Sequence, residues 1–179
     1  MKRLLASVFF LLFSGCTSIP LSTIVQMSTF DGDDFVALDP QALRVKITLL
    51  KGFELNTRQS WLGIGLSSPA GELREVFRLK KESIVSHVKS SGMFSPPEQV
   101  ISYTLSLRPA SREKFIKLQA FFDKAPPDEV DIRVVPKLAS YPETAKSVKT
   151  WIELQLNYKD GFFTLIDGAE LSLKKLSGK

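Results

Sequence analysis

One cysteine and one histidine in 179 residues leave little room for several kinds of chemistry. A single thiol excludes an internal disulfide and a Cys-rich zinc site, and a single imidazole excludes any site that needs two. The chain also lacks an apolar run of membrane-spanning length, a G-x-S-x-G elbow, a G-x-x-x-x-G-K-[ST] phosphate loop and an H-E-x-x-H pair. Charge of one sign is not in large excess. Lys+Arg number 24 against 19 Asp+Glu, a net +5, and no basic run is interleaved with aromatics, so nucleic acid is not an expected partner. No internal repeat, heptad or low-complexity stretch is present. At 20.0 kDa and 44% apolar, the chain suits one well-buried domain rather than two.

What is present begins with an N-terminal address. Lys2 and Arg3 precede an apolar run over residues 4–13, whose ten residues rise about 15 Å as helix, half the hydrocarbon thickness of a bilayer. Such a run does not span; it reads as a secretory h-region. It ends in Phe13, Ser14, Gly15 and Cys16, two small residues immediately before the only Cys. This segment resembles the lipobox of bacterial lipoproteins, with Phe13 standing where Leu is usual. The resemblance implies cleavage after Gly15, diacylation of the Cys16 thiol and acylation of its new amino group. A Cys at the water end of an apolar run is also where a lipid donor in the bilayer reaches it, and several chains anchor where one does not. Thr17, rather than Asp, follows Cys16, which in such lipoproteins implies transfer to the outer membrane, facing the periplasm. The expected organisation is a signal peptide over 1–15, a lipidated Cys16 with a short tether to residue 20, and a single β-rich domain over 21–179. Loss of Lys2 and Arg3 with the leader lowers the net charge to +3. The tether reaches at most about 14 Å, so the domain is expected close to the bilayer.

Period-two alternation dominates the remainder. Leu43, Val45, Ile47 and Leu49 alternate with Arg44, Lys46 and Thr48. Ile101, Tyr103, Leu105 and Leu107 alternate with polar residues, and so do Ile152, Leu154, Leu156 and Tyr158. Each is a strand with one wet face. Residues 61–66 and 73–79 are expected to form a hairpin about Ser68-Pro69-Ala70-Gly71, although Leu73, Val76, Phe77 and Lys80 also fit helical spacing, and residues 21–30, rich in Ile, Val and Thr, read as another strand. Lys159-Asp160-Gly161 and Asp167-Gly168 predict two turns and hence a three-stranded C-terminal meander. One helix is expected over 113–124, with Phe115, Leu118, Phe121 and Phe122 on its apolar side, Ser111 as N-cap and Pro126-Pro127 beyond its end. It is flanked by strands over 101–107 and 130–135. The predicted class is mainly β (α+β): an antiparallel, sandwich-like domain of about seven or eight strands with one amphipathic helix.

Candidates for chemistry are sparse. His87 is the only imidazole base, and Ser86 with Lys89 shows the Ser-x-x-Lys spacing of serine acylases. The same spacing recurs at Ser111/Lys114 and Ser172/Lys175, as often as these common residues give it by chance. Asp31, Asp33, Asp34 and Asp39 suggest a hard cation, but a twelve-residue calcium loop from Asp31 would place Phe35 and Ala42 where carboxylates belong, so this is a polar connection and no metal is expected. Glu72/Glu75 and Asp128/Glu129/Asp131 read as solvent-facing charges rather than paired glycosidase acids. Lys80-Lys81 and Lys174-Lys175 read as edge protection. Phe115, Phe121, Phe122, Phe162 and Phe163 read as core, or alternatively as the lining of an acyl-chain cavity. Met93 and Phe94, amid Ser, Gly and Pro, are the candidate exposed contact for a partner, or alternatively an inward-folded anchor of their loop.

The functional expectation is therefore a non-enzymatic, outer-membrane-anchored periplasmic lipoprotein that binds an envelope protein or polymer, with no cofactor. The alternative is a carrier of lipid or another apolar ligand between helix and sheet.

Overall fold

The computed structural model describes residues 30–68, 71–90, 96–122 and 127–173, with Pro20 and Thr23. The lipobox, including Gly15 and Cys16, and the Met93/Phe94 segment lie outside the described residues.

The fold is mainly β, as the alternation predicts. Nine strands and two helices run in the order α1 (Gly32–Ala37), β1 (Arg44–Leu50), β2 (Glu54–Leu55), β3 (Trp61–Ser68), β4 (Gly71–Lys89), β5 (Glu98–Leu107), α2 (Pro109–Phe122), β6 (Glu129–Val135), β7 (Leu138–Ser140), β8 (Ser147–Gln155) and β9 (Phe163–Ser172) among the described residues. Seven strands form one sheet in the order β6-β3-β4-β5-β1-β8-β9, and β2 pairs with β7 separately. Every adjacent pair in the large sheet is antiparallel.

The alternating strands lie at the centre. Val45, Ile47 and Leu49 of β1 are at most 1% exposed, and Leu105, Leu107, Ile152 and Leu154 bury beside them. Their opposite face is not simply wet. Thr48 and Ser102 share a buried hydrogen bond of 2.6 Å, and Trp151 is buried beneath two ammonium groups, Lys89 at 5.4 Å and Lys149 at 5.1 Å from its ring centroid. Each hydroxyl finds a partner that an apolar neighbour would deny it, and the indole face attracts the cations.

α2 closes the core. Phe115 packs between Phe35 of α1 and Phe77 of β4, with both centroid separations 5.3 Å and all three rings at 0% exposure. Several local expectations change here. The helix starts at Pro109, which suits a first turn because its missing N–H has no partner to lose. Ser111 is thus inside the helix rather than its N-cap; its Oγ accepts from the Arg78 N–H at 2.8 Å. Phe121 is 76% exposed rather than core, because Phe122 takes the inward position and Phe121 meets it edge-on at 5.0 Å. Gln119, by contrast, is buried and donates to the carbonyls of Phe35, Val36 and Leu38, where α1 ends.

The acidic stretch 31–34 is a second helix start and not a loop. Asp31 caps α1 by accepting from the Asp34 N–H at 3.0 Å, and the Asp34 carboxylate accepts from the Asp31 N–H at 3.3 Å. This reciprocal pairing satisfies donors that the first helical turn leaves open. Gly32 permits the seat of α1: a Cβ there would stand 2.1 Å from the Pro127 carbonyl oxygen. Of the strand expected over 21–30, Thr23 is helical and Phe30 irregular, and the rest lies outside the described residues.

The C-terminal meander has two strands, not three. Asp167-Gly168 does not reverse the chain; Gly168, at φ +68°, takes up an extra residue in β9 between the Thr150/Ala169 and Ile152/Ile166 pairs. A positive φ serves a bulge as well as a hairpin. The Lys159-Asp160-Gly161 turn is as expected.

Candidate functional site

β4 is the longest strand, at 19 residues, and it changes partner midway. Residues 71–78 pair with β3, and residues 79–89 pair with β5. Each half therefore has one side without a strand. α2 covers the end of the first of these, over residues 75–78. The Arg78 N–H donates to Ser111, the Arg78 carbonyl accepts from the Arg108 N–H at 3.0 Å, and the Val76 carbonyl lies within reach of Lys114. Lys114 also pairs with Glu75.

Among the described residues no strand covers the corresponding side of the second half. Residues 80–88 are exposed throughout, including Ile84 at 48%, Val85 at 54% and Val88 at 61%. Glu82 is an extra residue between the Lys81/Leu105 and Ser83/Thr104 pairs and bonds to Arg44 at 2.6 Å. Beyond this bulge, residues 83–88 pair regularly with β5 and carry no fixed charge: Ser, Ile, Val, Ser, His, Val. A strand edge beside apolar, uncharged side chains is a template for another strand.

The other edges of the large sheet differ. β6 places Glu129, Asp131 and Arg133 at alternate positions, with Arg133 and Asp131 paired at 2.6 Å. β9 carries two register shifts, and its Thr164 carbonyl accepts from the Thr23 hydroxyl. Charges and bulges are the devices that discourage strand addition. Among the described residues, 83–88 is the stretch of edge with neither.

The residues singled out for chemistry scatter. Ser86 and Lys89 occupy opposite faces of β4, because three positions along a strand invert the side chain. Ser111 and Lys114 are engaged in holding α2 to β4. Glu72 pairs with Arg74 at 3.2 Å, on the other face from Glu75. His87 is exposed, opposite Val100 of β5. Among the described residues no group of His, Cys, Asp or Glu is placed to hold a metal ion, and no helix is long and apolar enough to cross a membrane. Lys80 and Lys81 border an open hollow of about 390 Å³ with Thr57, Arg58 and Arg108. Another, of about 380 Å³, lies between α1 and the β8–β9 turn, with Asp34, Asp39 and Asp160 at its rim.

Sequence reasoning nominated Met93 and Phe94 in the connection between β4 and β5, and missed the strand leading to them. The signal was present as an uncharged Ile/Val-rich run after a Lys doublet, but which edge of a strand stays open depends on strand order. Comparison with protein-family models, curated proteins and solved structures finds no match.

Proposed function

We propose that this chain is a non-enzymatic lipoprotein of the bacterial outer membrane, facing the periplasm, whose domain binds an envelope component through the open edge of β4. The observation that carries the binding role is the uncharged, exposed stretch 83–88, held in extended form by β5 along its other side. An edge already in strand geometry binds a partner strand with little ordering cost. The anchor follows from the Ser14-Gly15-Cys16 segment, and the four residues after Cys16 keep the domain near the bilayer. Confinement to that layer raises the effective concentration of any partner in it. Ring-to-ring packing of Phe35, Phe77 and Phe115 beneath α2 supports a binding module over a carrier, because an acyl chain there would have to displace them.

Metabolic labelling with palmitate tests the anchor: the chain should take up label, and Cys16→Ser should remove both label and membrane retention. A photocrosslinking residue at Val85 should capture a protein in cells, whereas one at Arg133, on the β6 edge, should not. Stoichiometric lipid extracted from protein purified without detergent would instead favour the carrier.

A further inference from the structure

We infer that the strand received by the β4 edge is β4 of a second copy of this chain. The inference rests on reading 83–88 as the binding edge.

A two-fold axis perpendicular to the sheet keeps each side chain on its own face, so directly opposed residues must share a face of β4. Beyond the bulge that restricts the register to a few choices. Centring on Val85 opposes Ile84 to Ser86 and Ser83 to His87, and brings Val88 against the bulged Glu82, so Ile84 and Val88 go unmatched and the ladder breaks. Centring on Ser86 avoids both faults. It opposes Ile84 to Val88 twice on one face and Val85 to His87 twice on the other, with Ser83 opposite Lys89 at each end. The bulged Glu82 stands beside Ser83, so the fixed charges brought near each other, Glu82 of one copy and Lys89 of the other, are opposite in sign. All three exposed apolar residues of the half-strand, Ile84, Val85 and Val88, find cross-strand partners at once. Lys80 and Lys81 fall outside the paired stretch and oppose continuation past the bulge. The product is a sheet continuous through both copies from one β9 to the other. A contact this small is weak in dilute solution, but two copies tethered to one membrane meet at high effective concentration.

The test uses the full chain in its native membranes, with single Cys substitutions under mild oxidation. Directly opposed residues lie about 4.5–5.5 Å apart between Cα atoms, within disulfide reach. Ile84 of the two copies would be offset by four residues, about 13 Å, and beyond it. Ser86→Cys should therefore give a reducible band of doubled mass. Ile84→Cys and Val88→Cys should each stay single when expressed alone and form the doubled band when co-expressed. The unsubstituted chain should stay single, and the variants should melt like the parent. A Ser86→Cys chain that folds but stays single overturns the inference. So does one that crosslinks only to a different polypeptide, although that outcome leaves the anchored binding module standing. A doubled band in a chain that takes up no palmitate supports the pairing and overturns the anchor.

Discussion

Along residues 71–78, β4 has β3 on one side and, over 75–78, the start of α2 on the other; along 79–89 it has β5 on one side and, among the described residues, no strand on the other. Both halves are rich in branched and aromatic residues, with Leu73, Val76 and Phe77 in the first and Leu79, Ile84, Val85 and Val88 in the second. Hydrophobicity does not separate them. What differs is whether a neighbouring element satisfies the outward backbone groups and covers the side chains. A Ser hydroxyl, an Arg backbone amide and a Lys ammonium do so for the end of the first half, where Phe77 is buried. The second half is left as a surface, and strand edges of that kind are where association occurs.

Phe115→Ala attacks the covered half most directly, because it removes the ring between Phe35 and Phe77. A loss of about 3–5 kcal/mol is expected, as for buried Phe truncations generally, measured by urea unfolding; a loss near zero would mean that α2 does not close this core. Gln119→Leu follows. It leaves the carbonyls of Phe35, Val36 and Leu38 without the side-chain donor and should cost about 1–3 kcal/mol in the same titration. Asp31→Ala removes the cap of α1 and should cost about 1 kcal/mol, visible as a lowered melting temperature. Val85→Lys, on the open half, should change stability by no more than about 0.5 kcal/mol. Yet it should abolish the doubled band of a Ser86→Cys chain, because each new ammonium would intrude on the paired stretch. Large effects at Phe115 and Gln119 with a small one at Val85 would sharpen the contrast between the halves. A Val85→Lys chain that unfolds readily would break it, since the edge would then contribute to the core.

The strands β1, β5 and β8 were legible because period-two alternation is a local property, and their inward residues, Val45, Ile47, Leu105 and Leu154 among them, are the buried ones. The β3–β4 hairpin was legible from its turn residues. Misreadings arose where one local signal serves two structures. Asp167-Gly168 supplies a positive φ, which suits a hairpin turn or a bulge, and the pairing of β8 with β9 selects the bulge. Ser111 has the chemistry of a helix cap and is used as a side-chain acceptor for β4. Gln119 gave no signal, since a polar residue on a helix normally faces water; its burial depends on carbonyls 81 to 84 positions earlier in the chain. Phe121 and Phe122 are adjacent, so only one could face inward, and the position of the sheet chose Phe122.

By itself the sequence determined the strands β1, β5 and β8, the β3–β4 hairpin and the main helix, because each rests on side-chain periodicity or on residues close together in the chain. The order of the strands, the change of partner within β4, the covering of one half by α2 and the exposure of the other were decided only in three dimensions. The physical reason is that a backbone edge looks the same along any strand. Whether it is satisfied or open depends on which distant segment comes to lie beside it.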